Sequence, residues 1–349
     1  MRAHELLNPT PAGLYCPLAD VYIDPVRPVA RALITHGHAD HARAGHGAVL
    51  ATDQTLGIMA VRYGEGFTLD RQVAVLGQTV RMGEVNFTFH PAGHVLGSAQ
   101  ITVEARGTRI VASGDYKRAP DRTCQAFEPV PCDVFITEAT FGLPVFRHPD
   151  TASEVAKLLA SLALFPERCH VIGAYALGKA QRLIALIRDA GYHRPIYVHG
   201  AMEKLIAFYE SAGVPLGEIR KVVAAERKTL KGEIVICPPS AIQDLWARQL
   251  PDPVTAFASG WMRVRARARQ KGVELPLIVS DHADWDDLCA TIREVGAPEI
   301  WVTHGQEDAL VRWCDTQGIR AKPLRLAGYG DDGEVESGEV EAAPPQPTP

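Results

Sequence analysis

Thr35-His36-Gly37-His38-Ala39-Asp40-His41 is the stretch that decides how this 349-residue chain folds and what chemistry it can hold. It closes an apolar run, Val29–Thr35 (VARALIT), that reads as a strand bounded by Pro28 and Gly37. On extended backbone His36 and His38, two residues apart, project to the same side and can share one ion. Asp40 and His41 lie past the turn and aim at a second position. Imidazole with carboxylate suits a borderline cation such as zinc ahead of manganese or iron. Four surface polar residues in a loop would be the plain alternative, and the H-x-H-x-D-H spacing argues against it.

Further residues of ligand type stand where other predicted strands end. His94 lies in Pro91-Ala92-Gly93-His94-Val95-Leu96-Gly97-Ser98, after the run Asn86–His90 and before Gln100–Glu104. Asp115 lies in Ser113-Gly114-Asp115-Tyr116, after Arg109–Ser113. His304 lies in Val302-Thr303-His304-Gly305, closing Glu299–Thr303. Asp24, at the end of Val21-Tyr22-Ile23-Asp24, is placed to hold a ligand histidine through its second ring nitrogen. These five His and the acidic pair Asp40 and Asp115 suffice for two metals, with Asp115 between them.

The middle of the chain changes style. Thr151–Leu164 carries Val155, Leu158, Leu159 and Leu162 on one helical face, with Thr151 and Glu154 spaced as a capping box. Strand and helix then alternate: His170–Gly173, a helix from Lys179 to Ala190, Pro195–His199, a helix from Met202 to Ala212, and Gly232–Cys237. Alternation of this kind predicts a parallel α/β unit. After Gly272 the β-rich style returns with Leu277–Ser280, a helix from Trp285 to Val295, and Glu299–Thr303. The expected organisation is a core from 1–148 and 273–330 interrupted by an insertion over 149–272, followed by an acidic, disordered tail over 331–349.

Charge must be divided along that scheme. The chain has 36 Lys+Arg against 41 Asp+Glu, a net charge of -5. The tail holds six acidic residues and no Lys or Arg, so the first 330 residues stand at +1 and a polyanionic partner is not excluded. Seven cysteines, odd in number and never spaced C-x-x-C, fit reduced thiols of a cytoplasmic protein. No apolar run approaches the ~20 residues of a membrane span, and the N-terminus shows no secretory signal.

H-x-H-x-D-H, then the His of PAGHVLGS, then the Asp of SGDY, resembles the ordered ligand series of the metallo-β-lactamase fold. The insertion, with Glu138 in Thr137-Glu138-Ala139-Thr140-Phe141, His282 in Ser280-Asp281-His282-Ala283-Asp284, and His304, resembles the β-CASP branch, which acts on nucleic acids. Tyr175-Ala176-Leu177-Gly178-Lys179-Ala180-Gln181 and Asp281-His282-Ala283-Asp284-Trp285 look similar to the bacterial DNA ligase-associated exonucleases, themselves akin to Artemis and the DNA cross-link repair nucleases. The resemblance implies an α/β fold, an αββα sandwich with an inserted α/β domain. It implies two Zn2+, with Mn2+ or Mg2+ able to stand in their place. His36, His38 and His94 would hold one ion, Asp40, His41 and His304 the other, and Asp115 would bridge. Glu138 and His282 would act beside Asp40 as the catalytic group. The implied activity is removal of nucleotides from DNA 5′ ends in repair, on the nucleoid, alongside an ATP-dependent DNA ligase and a helicase. A ribonuclease of the same branch is the runner-up, because the position of His304 is usually histidine in RNA-cutting members. A catalytically silent scaffold should have lost ligands, a glyoxalase-like thioester hydrolase would not need His282, and a flavodi-iron enzyme would typically carry Glu in place of His38.

Hydrolysis of an anionic phosphodiester needs neutralising cations and a nucleophile available near pH 7, which a two-metal site supplies. His282, ionised and oriented by Glu138, is the expected proton donor to the leaving oxygen. Two other features point to phosphate. Gly173 to Ala180 falls one residue short of G-x-x-x-x-G-K-[ST], which puts Lys179 at a helix start suited to a backbone phosphate. Arg263, Arg265, Arg267, Arg269 and Lys271 alternate with other residues, and on a strand all five cations would share one face. His199, inside the insertion, and Trp261 and Trp285 are expected to be structural.

Overall fold

The computed structural model describes residues 1–324 and Leu326, so the acidic 331–349 stretch lies outside the described residues. Its first sheet runs in chain order through Asn8–Thr10, Gly13–Cys16, Val21–Ile23, Arg31–Leu33, His46–Ala51 and Thr68–Val73. A second sheet has the order Arg320–Pro323, Glu299–Gly305, Val134–Ala139, Thr108–Ala112, Ala99–Ala105, Val85–Pro91, Thr79–Met82. Period-two patterning drives their association: in Val85–Pro91 the side chains of Val85, Phe87 and Phe89 are buried while Asn86 is exposed. Leu14, Val21, Leu33 and Leu50 of the first sheet meet Phe87, Phe89, Ile101, Ile110 and Trp301 of the second in one core. The outer face of the first sheet (Ile34, Val49, Ala51) packs on Leu56 and Met59 of the helix Asp53–Tyr63. The outer face of the second (Phe135, Ile300, Val302) packs on Leu288 and Ile292 of Trp285–Val295 and on Leu310 of Glu307–Thr316. Helix, sheet, sheet and helix therefore stack as the expected αββα sandwich.

Between the strands Val134–Ala139 and Glu299–Gly305, neighbours in the second sheet, the chain builds a third sheet. Its order is Ile219–Lys221, Ile196–Val198, Ile234–Cys237, His170–Gly173, Val254–Ala258, Leu275–Leu277, and every pairing is parallel. His170–Gly173 and Ile234–Cys237 are buried at every position, as a parallel sheet covered on both faces requires. One face carries Leu158, Leu183 and Ile187 from the helices Thr151–Leu164 and Lys179–Asp189, and the other carries Phe141 and Trp261. Because the strands are parallel their C-terminal ends share one edge, which is where a ligand site forms in such sheets. Among the described residues no helix is long and apolar enough to cross a membrane.

Local readings changed in three places. The strand expected over Leu277–Ser280 in the core runs instead over Leu275–Leu277 and pairs with Val254–Ala258 at the edge of the third sheet. Helix Thr151–Leu164 is capped by Asp150, whose carboxylate accepts from Ala152 N at 3.3 Å. Glu154 is buried and accepts instead from Ile278 N at 2.9 Å, tying that helix to the chain beyond the third sheet. The expected strand of cations is a short 3-10 turn, Gly260–Arg263, followed by the helix Arg265–Lys271. Arg, Ala, Gln and Lys favour helix over strand, and Gly272, at φ 61°, ends it in the left-handed region. The five cations consequently do not share one face.

Candidate metal centre

Asp24 organises the loop that carries the first four candidate ligands. Its Oδ1 accepts from Thr35 N at 2.8 Å, and its Oδ2 accepts from Thr35 Oγ1 at 2.6 Å and faces His41 Nδ1 at 2.8 Å. Asp24 thus takes the Nδ1 nitrogen of His41. His94 is set by the turn after Val85–Pro91, where Ser98 Oγ accepts from the backbone N–H of both His94 and Val95 at 3.1 Å. Gly93 has φ 72°, and a Cβ there would lie 2.3 Å from the carbonyl oxygen of Lys117, so only glycine allows this approach. His304 has φ 58°, a left-handed conformation that costs energy for a non-glycine residue and that often marks functional positions.

These elements bring every candidate ligand into one cluster, with His36, His41, His94 and Asp115 buried. His94 Nε2 lies 2.9 Å from His38 Nδ1. Asp115 Oδ2 is 3.4 Å from His36 Nε2, 3.5 Å from His41 Nε2 and 3.8 Å from His94 Nε2. Its other oxygen meets His304 Nδ1 at 3.0 Å. Asp40 Oδ2 stands 3.7 Å from both His41 Nε2 and His304 Nε2. The donor atoms of His36, His38, His94 and Asp115 all lie within 4.8 Å of one another, as do those of Asp40, His41 and His304. His36 Nε2 is buried and makes no hydrogen bond among the described residues, which is costly unless something else takes its lone pair. Nitrogen and carboxylate donors crowded at these separations fit a site for two metal ions.

The electrostatics divide the cluster. Burial, aided by His36, holds the His38 ring down at about 4, and burial with the charges of His282 and His36 puts His94 well below the usual histidine range. Burial opposes protonation of His41 too, but Asp115, Asp40 and Asp24 overcome it and raise it to about 10. His304 is raised in the same way against its burial, chiefly by Asp115. Asp115 itself resists protonation despite complete burial, because His304 and His41 surround it.

Beside the cluster, Glu138 Oε1 accepts from Tyr116 N at 2.7 Å, and its Oε2 meets His282 Nδ1 at 3.0 Å. Burial would keep His282 neutral, yet Glu138, with help from Asp115 and Asp281, raises it to about 10. Glu138 ends a strand of the second sheet and His282 follows the last strand of the third, so the pair forms where the two layers meet.

Other expectations fare differently. Lys179 is fully buried and ion-paired to Asp281 at 2.6 Å, so it is not presented to a phosphate. Asp281, which flanks His282 in sequence, is buried rather than a solvated surface group. Arg263, Arg265, Arg267 and Arg269 are exposed, but Arg267 and Lys271 turn back over the rings of Trp261 (3.8 Å) and Phe257 (5.8 Å) while Arg265 and Arg269, one turn apart, share another face. Trp261 and Trp285 are buried, and His199 caps Gly200–Met202 by accepting from Ala201 N at 3.1 Å. Unforeseen in the sequence were the backbone carbonyls of Leu177 and Asp281, which lie against ring nitrogens of His38 and His94 at 3.3 and 2.9 Å.

Residues 21–169 match the Metallo-beta-lactamase superfamily. Over 349 aligned residues, 96% of this chain, the sequence is 29% identical to a protein named "Probable DNA ligase" from Opitutus terrae, of which it covers 32%. It is 31% identical over 65% of its length to "Cleavage and polyadenylation specificity factor 73" of Drosophila melanogaster, of which it covers 41%. The chain therefore spans between a third and two fifths of the length of these relatives. A protein of unknown function from Enterococcus faecalis V583 shares the fold at a TM-score of 0.52 and 14% identity, over 78% of this chain and 74% of the other. Residues 21–169 are thus similar to a metallo-beta-lactamase domain, and these relatives support a place in the β-CASP nuclease branch.

Proposed function

We propose that the chain is a two-zinc phosphodiesterase that removes nucleotides from DNA 5′ ends in repair. The observation that carries this reading is the Glu138–His282 pair, 3.0 Å apart and beside a cluster built around Asp115. Bound by His36, His38, His94 and Asp115 on one side and Asp40, His41, His304 and Asp115 on the other, two divalent cations would supply positive charge for the phosphate and a nucleophile at neutral pH. The protein's own residues handle the leaving group. Glu138 fixes the His282 ring through Nδ1 and keeps it an imidazolium, so Nε2 is the nitrogen left to protonate the departing 3′ oxygen of the upstream nucleotide. The exposed Arg263, Arg265 and Arg269 would meet non-reacting phosphates. Alignment of nearly the whole chain with a protein named "Probable DNA ligase" supports DNA as substrate and a ligase as partner, while a helicase of the same repair system and action in the cytoplasm follow from the resemblance to the ligase-associated exonucleases. RNA is the second reading, favoured by the presence of His304 in the cluster.

The test is cleavage of DNA and RNA, single- and double-stranded, with 5′-phosphate or 5′-hydroxyl ends, alongside metal analysis. Stepwise release of nucleotides from 5′-phosphorylated DNA, abolished by a chelator, is expected. H282A should lower turnover by about 10²–10⁴-fold with two metals still bound. Cleavage of RNA alone would reverse the substrate ranking, and an H282A variant with full turnover would remove His282 from the mechanism.

A further inference from the structure

The helix Lys179–Asp189 of the inserted layer reaches the metal centre at its first turn. The carbonyl oxygen of Leu177 lies 3.3 Å from His38 Nε2, and that of Asp281 lies 2.9 Å from His94 Nδ1. A carbonyl can only accept, so His38 carries its proton on Nε2 and His94 on Nδ1. The other two nitrogens, His38 Nδ1 and His94 Nε2, are therefore bare and face each other at 2.9 Å. Two lone pairs at that distance repel unless a cation lies between them.

What fixes the Asp281 carbonyl is the same helix. Lys179 Nζ pairs with Asp281 Oδ1 at 2.6 Å and donates to the Val279 carbonyl at 3.3 Å, with both charged side chains buried. One turn on, Arg182 donates to the carbonyls of Gly93 and His94 at 3.0 Å and pairs with Asp121 at 2.6 Å. The helix thus holds His94 by its backbone through Arg182 and by its ring through Lys179 and Asp281. Gly178, φ 82°, permits the approach, since a Cβ there would lie 2.3 Å from the Val95 side chain. A buried ion pair adds little net stability, but it holds its partners in one geometry.

We propose that the Leu177 carbonyl and the Lys179–Asp281 ion pair are outer hydrogen-bonding supports supplied by the inserted layer to the three-histidine half of the cluster, with Lys179 a positioning residue that sets the tautomer and direction of His94. The proposal rests on the two-metal reading. It makes the inserted layer part of the metal site. Groups that orient a ligand histidine through its outer nitrogen are commonly worth ~10–100-fold in metal affinity.

The test is competition for zinc between a chromophoric chelator and the full-length chain. In an H304A background, which leaves the three-histidine half as the intact site, K179M should weaken zinc binding by about 10–100-fold, D281N should do the same, and K179R should recover most of the loss. In an H36A background, where the other half remains, K179M should change affinity by less than about threefold. Thermal melting of each zinc-free variant separates loss of the site from loss of the fold, and D281N, which keeps both the side-chain volume and the carbonyl, carries the reading if K179M does not fold. Unchanged affinity in the H304A background, or an equal loss in both backgrounds, overturns the proposal while leaving two metals in place. A wild-type chain that takes up no zinc overturns the two-metal reading and this proposal with it.

Discussion

The two halves of the cluster share Asp115 yet are built by opposite electrostatics. His38 and His94 present their outer nitrogens to backbone carbonyls, and burial keeps both rings neutral, with His38 at about 4. His41 and His304 present theirs to the carboxylates of Asp24 and Asp115, and both are raised, His41 to about 10. Asp40 adds a further carboxylate whose side chain is 44% exposed, whereas the His94 side chain is wholly buried. An empty three-histidine half is therefore ready for a cation as it stands. The carboxylate-rich half balances its own charge with protons, and a cation must displace them. Neutral ligands oriented by carbonyls favour retention of an ion, and charged ligands make occupancy depend on conditions.

The heaviest blow to this division is to remove what the halves share. D115A should empty both sites and lower turnover by on the order of 10³-fold or more, read as metal per chain and as nucleotide release. If one full equivalent of zinc remains, Asp115 belongs to one half only and the bridging assignment fails. A gentler probe is pH. With His41 raised to about 10 and His304 raised as well, zinc affinity of the Asp40/His41/His304 half should fall at least about tenfold for each unit from pH 9 to pH 6, because the His41 proton must leave for each ion that enters. The three-histidine half, with His38 at about 4, should stay flat over the same range. Zinc-free stability has the opposite sign: folded-state values above the ordinary 6.5 stabilise the chain fully below that pH, and the gain is lost as pH rises through about 10. Equal pH slopes in H304A and H36A chains would erase the distinction between the halves.

How much of this was legible in the sequence follows the same line between local and distant effects. His36, His38, Asp40 and His41 sit within six residues at a strand end, so their convergence needed no tertiary information; His94 and Asp115 lie in turns that follow strands, and His304 lies near the end of the strand Glu299–Gly305. The sandwich was readable because period-two patterning exposes one face per strand to a partner. Lys179 misled, because a glycine-rich turn before a helix resembles a phosphate site while its true partner, Asp281, stands far along the chain on another loop. The charge alternation over Arg263–Lys271 mimicked strand periodicity, although its Arg, Ala and Gln composition favoured helix, and the composition prevailed. The run Leu277–Ser280 reads as a core strand, whereas Leu275–Leu277 joins the third sheet, because a short apolar run carries no mark of which sheet it joins.

The smallest expected effect lies outside both halves and tests whether substrate affinity can be separated from them. Arg265 and Arg269 share an exposed face of the helix Arg265–Lys271, while Arg267 is drawn over Trp261. Each phosphate contact contributes about 0.7–0.9 to the slope of log affinity against log salt. R265A/R269A should then flatten that slope by up to ~1.8 on duplex DNA and weaken binding only severalfold at physiological salt, whereas R267A should change it less. The helix follows the 3-10 turn Gly260–Arg263, which packs near Phe141 and His148 rather than on any candidate ligand. The contribution of these arginines should therefore persist in a chain stripped of metal and in D115A. A salt slope unchanged by R265A/R269A would return these arginines to the role of a solvated surface, and one that vanishes on metal removal alone would place all phosphate recognition in the cluster.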